Sequence, residues 1–442
     1  MPEARAEGEQ HPRPEPAAIL ENKAAARHVP AHRPPPGPAQ ASAAALYSRA
    51  GGRIVALTAV AARGIAVPAL ARLCLLLTLL ALAACTGRGQ ITLAPGTVPG
   101  AEVHRLFVAT GRAPVEGPAR FGGARAAELH FAHFDVSVPP VHRPGRIEWP
   151  DLTPDPARHF VTVDEAVYDS EGFRRAIDAS LAARAPDDRD VLVFVHGFNN
   201  TFAEGLYRQA QITHDFRNPG VVVNYSWPSA GSALGYVHDS DSTLVARDGL
   251  TALLRALART QARRIVLVAH SLGGFLAMES LRQMALEGRG PAWAKISPVI
   301  LLAPDIDIDV FRAQARRIGT LPEPFLVFAS PRDRALLLSA RISGAHARLG
   351  SVGTEEELTG LGVTVIDTSA VAGGDSLNHM TAVTSPAAIA VLSNLGGYQT
   401  ALDADQREAG VLPTTLNTTF DLVRNTTRLV LTPLGLILQA VE

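Results

Sequence analysis

The chain has 442 residues, enough for one large α/β domain plus extensions, and 47% of them are hydrophobic, so a sizeable core can be buried. A formal net charge of −1 and an aromatic content of only 5% exclude strong charge-driven or stacking-based binding of nucleic acid. The two cysteines, Cys74 and Cys85, both lie near the N-terminus, which excludes a disulfide framework or a cysteine-rich metal site elsewhere.

Residues 1–52 have the composition of a segment that does not fold by itself. They are rich in alanine, proline and arginine, and the stretch 32–38 holds four prolines and a glycine in seven residues. No hydrophobic periodicity is present that could build a core. We interpret this region as disordered, or as an extension that precedes the true start of translation.

Residues 53–85 have the features of a secretory signal. Arg63 and Arg72 precede a short apolar run that ends in small residues at Ala83, Ala84 and Cys85. This ending resembles a bacterial lipobox and predicts lipidation of Cys85. An uncleaved anchor helix starting near Ile65 is the alternative. Either interpretation predicts a membrane-anchored protein of the cell envelope, on the periplasmic side, and residues 86–100 would form a flexible tether.

The stretch 101–400 alternates buried apolar runs with helical patterns. Strands are expected at 104–110, 129–138, 160–163, 190–195, 221–225, 265–269, 298–303, 325–329 and 363–367, and helices at 171–184, 202–214, 243–260 and 385–394, with a loop at 230–241. This alternation predicts an α/β fold with a mostly parallel central sheet and helices on both faces. The C-terminal extension, 401–442, is apolar and could pack on the domain, touch a membrane or bind a partner.

A sharp turn between a strand and a helix is predicted at Ser271. The apolar run 265–269 leads directly into it, and small residues, Ala269 and Gly273, lie two positions before and after the serine. This is the pattern of a nucleophile elbow, with alanine where glycine is more usual. Taken alone, the pattern also fits an unreactive serine in a turn.

The residues that follow later strands favour the catalytic interpretation. Asp305 and Asp333 each follow a predicted strand, and His379 lies beyond the last one, so the order is serine, acid, histidine. Ser271 would be the nucleophile, His379 the general base and then acid, and Asp333 the carboxylate that orients the histidine. Asp305, one strand earlier, is the alternative acid. This chemistry needs neither a metal nor a cofactor, and none is expected.

Donors for an oxyanion are expected from two backbone N–H groups, those of Leu272 and Phe198. Leu272 follows the nucleophile, and Phe198 lies in the glycine-containing loop after the strand at 190–195. His196 and His270 are interpreted as structural. Trp227 could line the substrate pocket or belong to the core. Asn199 is a candidate for the same pocket, or for fixing the oxyanion loop or capping the next helix.

Several short motifs together resemble a bacterial branch of the α/β-hydrolase superfamily whose substrate is unassigned. The similarity covers about residues 103–395 and rests on 107–110 with Arg112, 136–139 with His142, Gly145, Ile147 and Glu148, 196–199, 227–229 with Tyr236 and Asp239, 270–273, 304–307 and 330–336. It implies the α/β-hydrolase fold with Ser271, Asp333 and His379 as the triad, and it supplies no substrate.

The function expected from the sequence is hydrolysis of carboxylic esters through an acyl-enzyme, with lipids or acylated envelope components as accessible substrates. Amide hydrolysis uses the same triad and is not separated from it by sequence. A different class of function is a non-catalytic envelope lipoprotein that keeps the fold as a binding platform.

Overall fold

The computed structural model describes residues 88–94, 96–150, 153–344, 346–351, 358, 360–371, 373–393, 428–432 and 435–438. The chain divides into two compact units, residues 1–78 and 79–442, and all described residues lie in the second. The predictions for residues 1–52 and for the signal at 53–85, including Cys85, fall outside the described residues. Within the described part, no helix is long and apolar enough to cross a membrane.

The strands follow the apolar runs of the sequence. They are β1 (Glu102–Pro114), β2 (Phe121–Val138), β3 (Val161–Tyr168), β4 (Val191–Val195), β5 (Val221–Ser226), β6 (Ile265–His270), β7 (Ile296–Leu302), β8 (Phe325–Ala329), β9 (Thr364–Asp367), β10 (Arg428–Thr432) and β11 (Gly435–Leu438). The strands β4 to β9 are short and rich in β-branched and aromatic residues, as expected for strands buried on both faces.

The strands form one sheet in the order β11-β10-β9-β8-β7-β6-β4-β5-β1-β2-β3 over the described residues. Neighbours from β1 and β5 through to β9 and β10 pair in parallel. The pairs β1–β2, β2–β3 and β10–β11 are antiparallel. The mostly parallel sheet that the sequence predicts is therefore present, and the carboxyl ends of β4, β6, β8 and β9 share one edge.

The helices are α1 (Ser170–Ala182), α2 (Phe202–Asp215), α3 (Tyr236–Ala258), α4 (Leu272–Leu286), α5 (Gly290–Trp293), α6 (Ile308–Ile318), α7 (Arg334–Ile342) and α8 (Thr381–Thr384), and residues 386–393 are also helical. Side chains alternate across the sheet. Val193 packs in a core cluster with residues of α1, α3, α4 and α6, while Phe194 points into a cluster on the opposite face. Helices therefore cover both faces.

Two segments differ from the sequence prediction. Residues 230–241 are not a continuous loop, because α3 begins at Tyr236. The segment 86–100, expected to be a flexible tether, packs against the domain in the residues of it that the structure describes. Ile91 is buried, and Thr162 on β3 donates its N–H to Thr92 O at 2.8 Å and accepts from Ala94 N at 3.0 Å. The tether prediction missed these contacts because they depend on a distant strand.

The C-terminal extension contributes two strands to the sheet. β10 pairs in parallel with β9, and β11 pairs back on β10. Of the three roles considered for the extension, packing on the domain agrees with this pairing, since the strands extend the sheet beyond β9.

Candidate active site

Ser271 lies in a strained turn between β6 and α4. Its backbone has φ 54° and ψ −126°, in the region that side-chain-bearing residues rarely adopt. The turn is held by hydrogen bonds from Ser271 N to Leu302 O at 3.0 Å and from Asp305 N to Ser271 O at 3.2 Å. A Cβ at Gly273 would lie 2.4 Å from His196 O, so only glycine allows α4 to start this close to the end of β4.

The two carboxylate oxygens of Asp333 have different partners, one at the start of a helix and one on a histidine. It follows β8 as the N-cap of α7, and its Oδ1 accepts from Leu336 N at 2.9 Å. Its Oδ2 lies 2.7 Å from His379 Nδ1, and a carboxylate only accepts, so Nδ1 carries the hydrogen. The carboxylate is fully buried, which leaves both oxygens committed to these partners.

The loop that carries His379 is fixed from its backbone. Asp375 accepts hydrogen bonds from the N–H groups of His379 and Met380, at 3.0 and 2.8 Å. Arg334, directly after Asp333, donates its N–H to Leu377 O at 2.9 Å. Asp375 was not singled out from the sequence. An acidic residue four positions before a candidate histidine, in a stretch without helical periodicity, is the signal that could have found it.

His379 presents its second ring nitrogen for chemistry. Only Nδ1 has a hydrogen-bond partner within the described part of the chain, and the side chain is 14% exposed. The ring of His270, the residue before Ser271, packs at 4.6 Å between centroids from the ring of His379. Burial lowers the pKa of His270 well below its usual value, so this neighbour is neutral. The structural role expected for His270 thus includes contact with the candidate base.

Asp305, the alternative acid, is engaged elsewhere. Ser339 Oγ donates to its carboxylate at 2.7 Å, Tyr236 Oη donates to Oδ2 at 3.0 Å, and Arg348 Nε lies 3.3 Å from Oδ1. Tyr236 belongs to α3, Ser339 to α7, and Arg348 to the segment that follows α7. The structure therefore brings Asp333, and not Asp305, to the ring of His379.

The loop after β4 lies directly against Ser271. A Cβ at Gly197 would come 2.8 Å from Ser271 Cβ and 2.5 Å from His270 Nδ1, so the two backbones could not approach if this residue had a side chain. Asn200 Nδ2 donates to Gly197 O at 3.2 Å and to Phe198 O at 2.9 Å, and these hydrogen bonds hold the backbone of the loop. The Phe198 N–H has no acceptor among the residues described.

Leu272 is the first residue of α4, so its N–H has no acceptor within the helix. The helix N-terminus also carries partial positive charge. The two N–H groups expected to bind an oxyanion thus lie on either side of Ser271, one at the start of α4 and one in the loop after β4.

Buried polar groups hold the loop after β4 in place. His196 Nδ1 lies 2.9 Å from Gly197 O, and its ring stacks on Trp227 at 5.0 Å. Trp227 Nε1 donates to His196 O at 2.7 Å, and the fully buried Arg112 donates to Asn200 O at 2.9 Å. Burial, reinforced by Arg112, lowers the pKa of His196 to about 3, so this histidine stays neutral.

Trp227 and Asn199, the two candidate pocket residues, serve the scaffold. Trp227 has no exposed surface with which to line an open pocket. Asn199 has φ 57° and donates its N–H to the buried Asp239 at 3.2 Å. Its side-chain oxygen and its carbonyl accept from Arg88, at 2.8 and 2.6 Å. The alternative roles of the two residues, a core tryptophan and an asparagine that fixes the loop, are the ones that these contacts describe.

A small cavity borders the histidine side of the site. It is lined by Asp333, His379 and apolar residues from the ends of β7 and β8 and from α8, among them Leu302, Phe328 and Val383. The arrangement thus combines a strained serine, a histidine–carboxylate pair and unpaired backbone donors at one edge of the sheet. Such a set can transfer an acyl group without a metal or cofactor.

A family model described as an alpha/beta hydrolase of unknown function (DUF900) matches residues 173–395. The chain belongs to this family. Ser271, Asp333, His379 and the loop at Phe198 all lie within the matched residues. This α/β-hydrolase has no significant match among curated proteins.

The solved structures that are similar to this α/β-hydrolase have low sequence identity to it. An inhibited esterase B from Lactobacillus rhamnosis is 12% identical, with a TM-score of 0.35, and the match covers 76% of this chain and 97% of that one. A fungal esterase structure from Rhizomucor miehei is 12% identical over 74% and 89%, with a TM-score of 0.31. The poly(3-hydroxybutyrate) depolymerase LpqC from Bordetella parapertussis is 17% identical over 48% and 80%, with a TM-score of 0.29.

Proposed function

We propose that this α/β-hydrolase is a serine esterase that cleaves carboxylic esters through an acyl-enzyme. The observation that carries the proposal is the 2.7 Å contact of His379 with Asp333, which leaves Nε2 without a partner among the described residues, while the ring packs against His270, the residue before Ser271. A histidine oriented by a buried carboxylate, with its other nitrogen open, is the arrangement that activates a serine.

The reaction has two balanced steps. Ser271 Oγ attacks the ester carbonyl carbon while His379 Nε2 takes the hydroxyl proton. The C–O bond to the alcohol then breaks, and Nε2 returns the proton to the departing oxygen. Water attacks the acyl-serine in the second step, again losing a proton to Nε2, and the carboxylic acid leaves as Ser271 recovers its hydrogen. Asp333 accepts the Nδ1–H hydrogen bond throughout and stabilises the imidazolium.

The negative charge on the carbonyl oxygen would be bound by the N–H groups of Leu272 and Phe198. Support comes from the absence of a competing acceptor for Phe198 among the described residues, and from the position of Leu272 at the start of α4. Donors already oriented toward the oxyanion cost little reorganisation, and removing one such donor in an enzyme lowers kcat about 10²–10³-fold.

We further propose that the substrates are acyl lipids or acylated components at a membrane. Support comes from Arg88, which donates to both oxygens of Asn199 and pairs with Glu204 at the start of α2. Arg88 follows Cys85 by three residues, a span of about 10 Å at most. Lipidation of Cys85 would therefore hold the loop of Phe198 close to the headgroups, at the periplasmic face of the envelope.

The test is a series of p-nitrophenyl esters of rising acyl length, assayed with the full chain. We expect turnover that falls by about 10³-fold or more in Ser271→Ala, with the fold unchanged by circular dichroism. A folded wild-type protein without activity on any ester would contradict the proposal.

Membrane targeting needs its own comparison. Cys85→Ser should keep activity on a short soluble ester and lose activity on diacyl lipids in vesicles, because only the second substrate requires the anchor. Equal losses on both substrates, or no loss on the vesicles, would contradict the membrane-proximal site while leaving the esterase proposal intact.

A further inference from the structure

A second histidine-containing cluster lies away from the elbow, where the start of β1 meets the end of α2. Glu102 and His104 come from β1, and His214 comes from the last turn of α2. His104 Nε2 lies 3.1 Å from His214 Nδ1 and 3.6 Å from Glu102 Oε1, and His214 Nδ1 lies 3.4 Å from Glu102 Oε2. Three metal-ligating side chains thus converge on one point.

The separations match the geometry of a tetrahedral metal site. Zn²⁺ bonds to imidazole nitrogen and carboxylate oxygen at about 2.0–2.1 Å, which places neighbouring tetrahedral ligands about 3.3–3.4 Å apart. The separation of the two imidazole nitrogens and the shortest distance from Glu102 to each of them agree with this spacing to within a few tenths of an ångström. Glu102 directs Oε1 to His104 and Oε2 to His214, so its carboxylate could bind an ion held between the two imidazoles through either oxygen.

The surroundings leave room for a fourth ligand. A cavity beside the cluster is lined by Glu102, His104, Thr213, His214, Arg217 and Asn218. Water or a small anion could complete the coordination there, and Arg217 would favour an anion. The fold separates this site from the elbow by the length of α2, about 20 Å for its 14 residues.

The electrostatics of the cluster also suit a cation. The ring of His214 packs edge-on to His142, whose nitrogens lie 2.8 and 2.9 Å from Glu148 and Asp215. Together with Glu102, these two carboxylates place negative charge around the cluster.

We propose that Glu102, His104 and His214 form a binding site for a divalent transition-metal ion, with Zn²⁺ the best fit, that fastens the start of β1 to the end of α2. The ion would have a structural role. This inference departs from the expectation of no metal site and does not depend on the proposed esterase activity.

A rival cluster supplies a matched control. His133, Asp135 and Asp164 also bring ligand atoms together, but Arg105 already donates two hydrogen bonds to Asp135, at 2.8 and 2.6 Å. The guanidinium of Arg105 therefore already pairs with the carboxylate that a metal would need. The variants Glu102→Gln and Asp164→Asn each remove one charge from a side chain that is more than half exposed, 65% and 63%.

The experiment uses the tag-free full chain, stripped with a chelator and then titrated with Zn²⁺ alone. We expect one bound Zn²⁺ per chain, an affinity about 10-fold weaker in Glu102→Gln and about 100-fold weaker in His104→Gln or His214→Gln, and no change in Asp164→Asn. Zn²⁺ should also raise the Tm of wild type and Asp164→Asn, but not that of the histidine variants.

Two results would overturn the proposal: a folded wild type that binds no Zn²⁺, or binding whose affinity is the same in Glu102→Gln as in Asp164→Asn. Glu102→Gln decides the matter if a histidine variant fails to fold, because its exposed side chain is not needed for the core. Tetrahedral Co²⁺ absorption in the wild type, lost in Glu102→Gln, would give independent support.

Discussion

Two of the histidine–carboxylate arrangements among the described residues differ in the hydrogen bonding of the second ring nitrogen. At the carboxyl edge of the sheet, His379 has its Nδ1 2.7 Å from Asp333 and no partner on Nε2 among the described residues. At the end of α2, His142 has Nδ1 2.8 Å from Glu148 and Nε2 2.9 Å from Asp215. The first ring has one nitrogen free for proton transfer, and the second has none.

The difference separates a candidate catalytic histidine from a structural one. Burial alone would lower the pKa of His142, but its hydrogen bonds to Asp215 and Glu148 outweigh burial and raise the pKa to about 9. His142 is therefore a cation that ties the loop after β2 to α2, since Asp215 also accepts from Gly145 N at 2.7 Å. The presence of a histidine beside a carboxylate does not identify a general base. A ring nitrogen without a hydrogen-bond partner does.

The largest loss of catalytic rate should come from replacing His379 by glutamine, and the same replacement of His142 is its comparison. His379→Gln should lower kcat on a soluble ester by about 10³-fold or more while leaving Tm nearly unchanged. His142→Gln should keep kcat within a factor of a few and lower Tm by about 4–10 °C, because two partly buried carboxylates lose their cation. Parallel kinetics and thermal melts check this. Similar kinetic losses in both variants would break the distinction.

The two candidate acids give the next comparison. Asp333→Asn should lower kcat about 10²–10⁴-fold, because an amide no longer stabilises the imidazolium or fixes its tautomer. Asp305→Asn should change kcat less than about 10-fold, because that carboxylate contacts Tyr236, Ser339 and Arg348 instead. Steady-state kinetics on one ester would measure both. A larger loss in the Asp305 variant would reverse the assignment of the acid.

A smaller effect is expected at the loop beside the nucleophile. Gly197→Ala would place a methyl group 2.8 Å from Ser271 Cβ, so the loop must move and the Phe198 N–H with it. We expect kcat to fall about 10–10²-fold with KM little changed, since the loss is confined to the transition state. Gly123→Ala on β2, where a Cβ would meet no atom nearer than 3.7 Å, is the control. Equal activity of both variants would contradict the oxyanion role.

The smallest effect is the pH dependence of stability from His142. Its pKa is raised from 6.5 to about 9 in the folded state, so its contribution is complete below pH 6.5 and is lost as pH rises through 9. The difference in free energy of unfolding between wild type and His142→Gln should therefore shrink by about 1–3 kcal/mol from pH 6.5 to pH 9.5. Urea unfolding at the two pH values measures it. A difference independent of pH would contradict a pKa of about 9 for His142 in the folded protein.

Sequence alone predicts the parts of the site that are local. The strands, the turn at Ser271 and the order of serine, acid and histidine are written in short stretches, because apolar runs and small flanking residues have local causes. The choice between Asp333 and Asp305 could be ranked but not decided, since it depends on which strand end faces the histidine loop.

What sequence could not predict depends on distant partners. The start of α3 has no side-chain cap and lies in a stretch rich in glycine and serine, so it resembles a loop until Asp239 is buried against Ser229 and Ala230. The segment around Arg88 looks like a tether because the residues that bind it, Asn199 and Glu204, lie more than a hundred positions away. Trp227 could not be assigned to core or pocket before its stacking on His196 was seen.

The most direct test of the account is covalent labelling of the nucleophile. A fluorophosphonate probe reacts only with a serine that a base has activated, so it reports Ser271 and His379 together without any assumption about the substrate. We predict one adduct per chain, mapped to Ser271 by peptide mass spectrometry, absent in Ser271→Ala, and formed at least about 10²-fold more slowly in His379→Gln but not in His142→Gln. A folded wild-type chain that remains unlabelled, or that is labelled at another serine, would contradict the account.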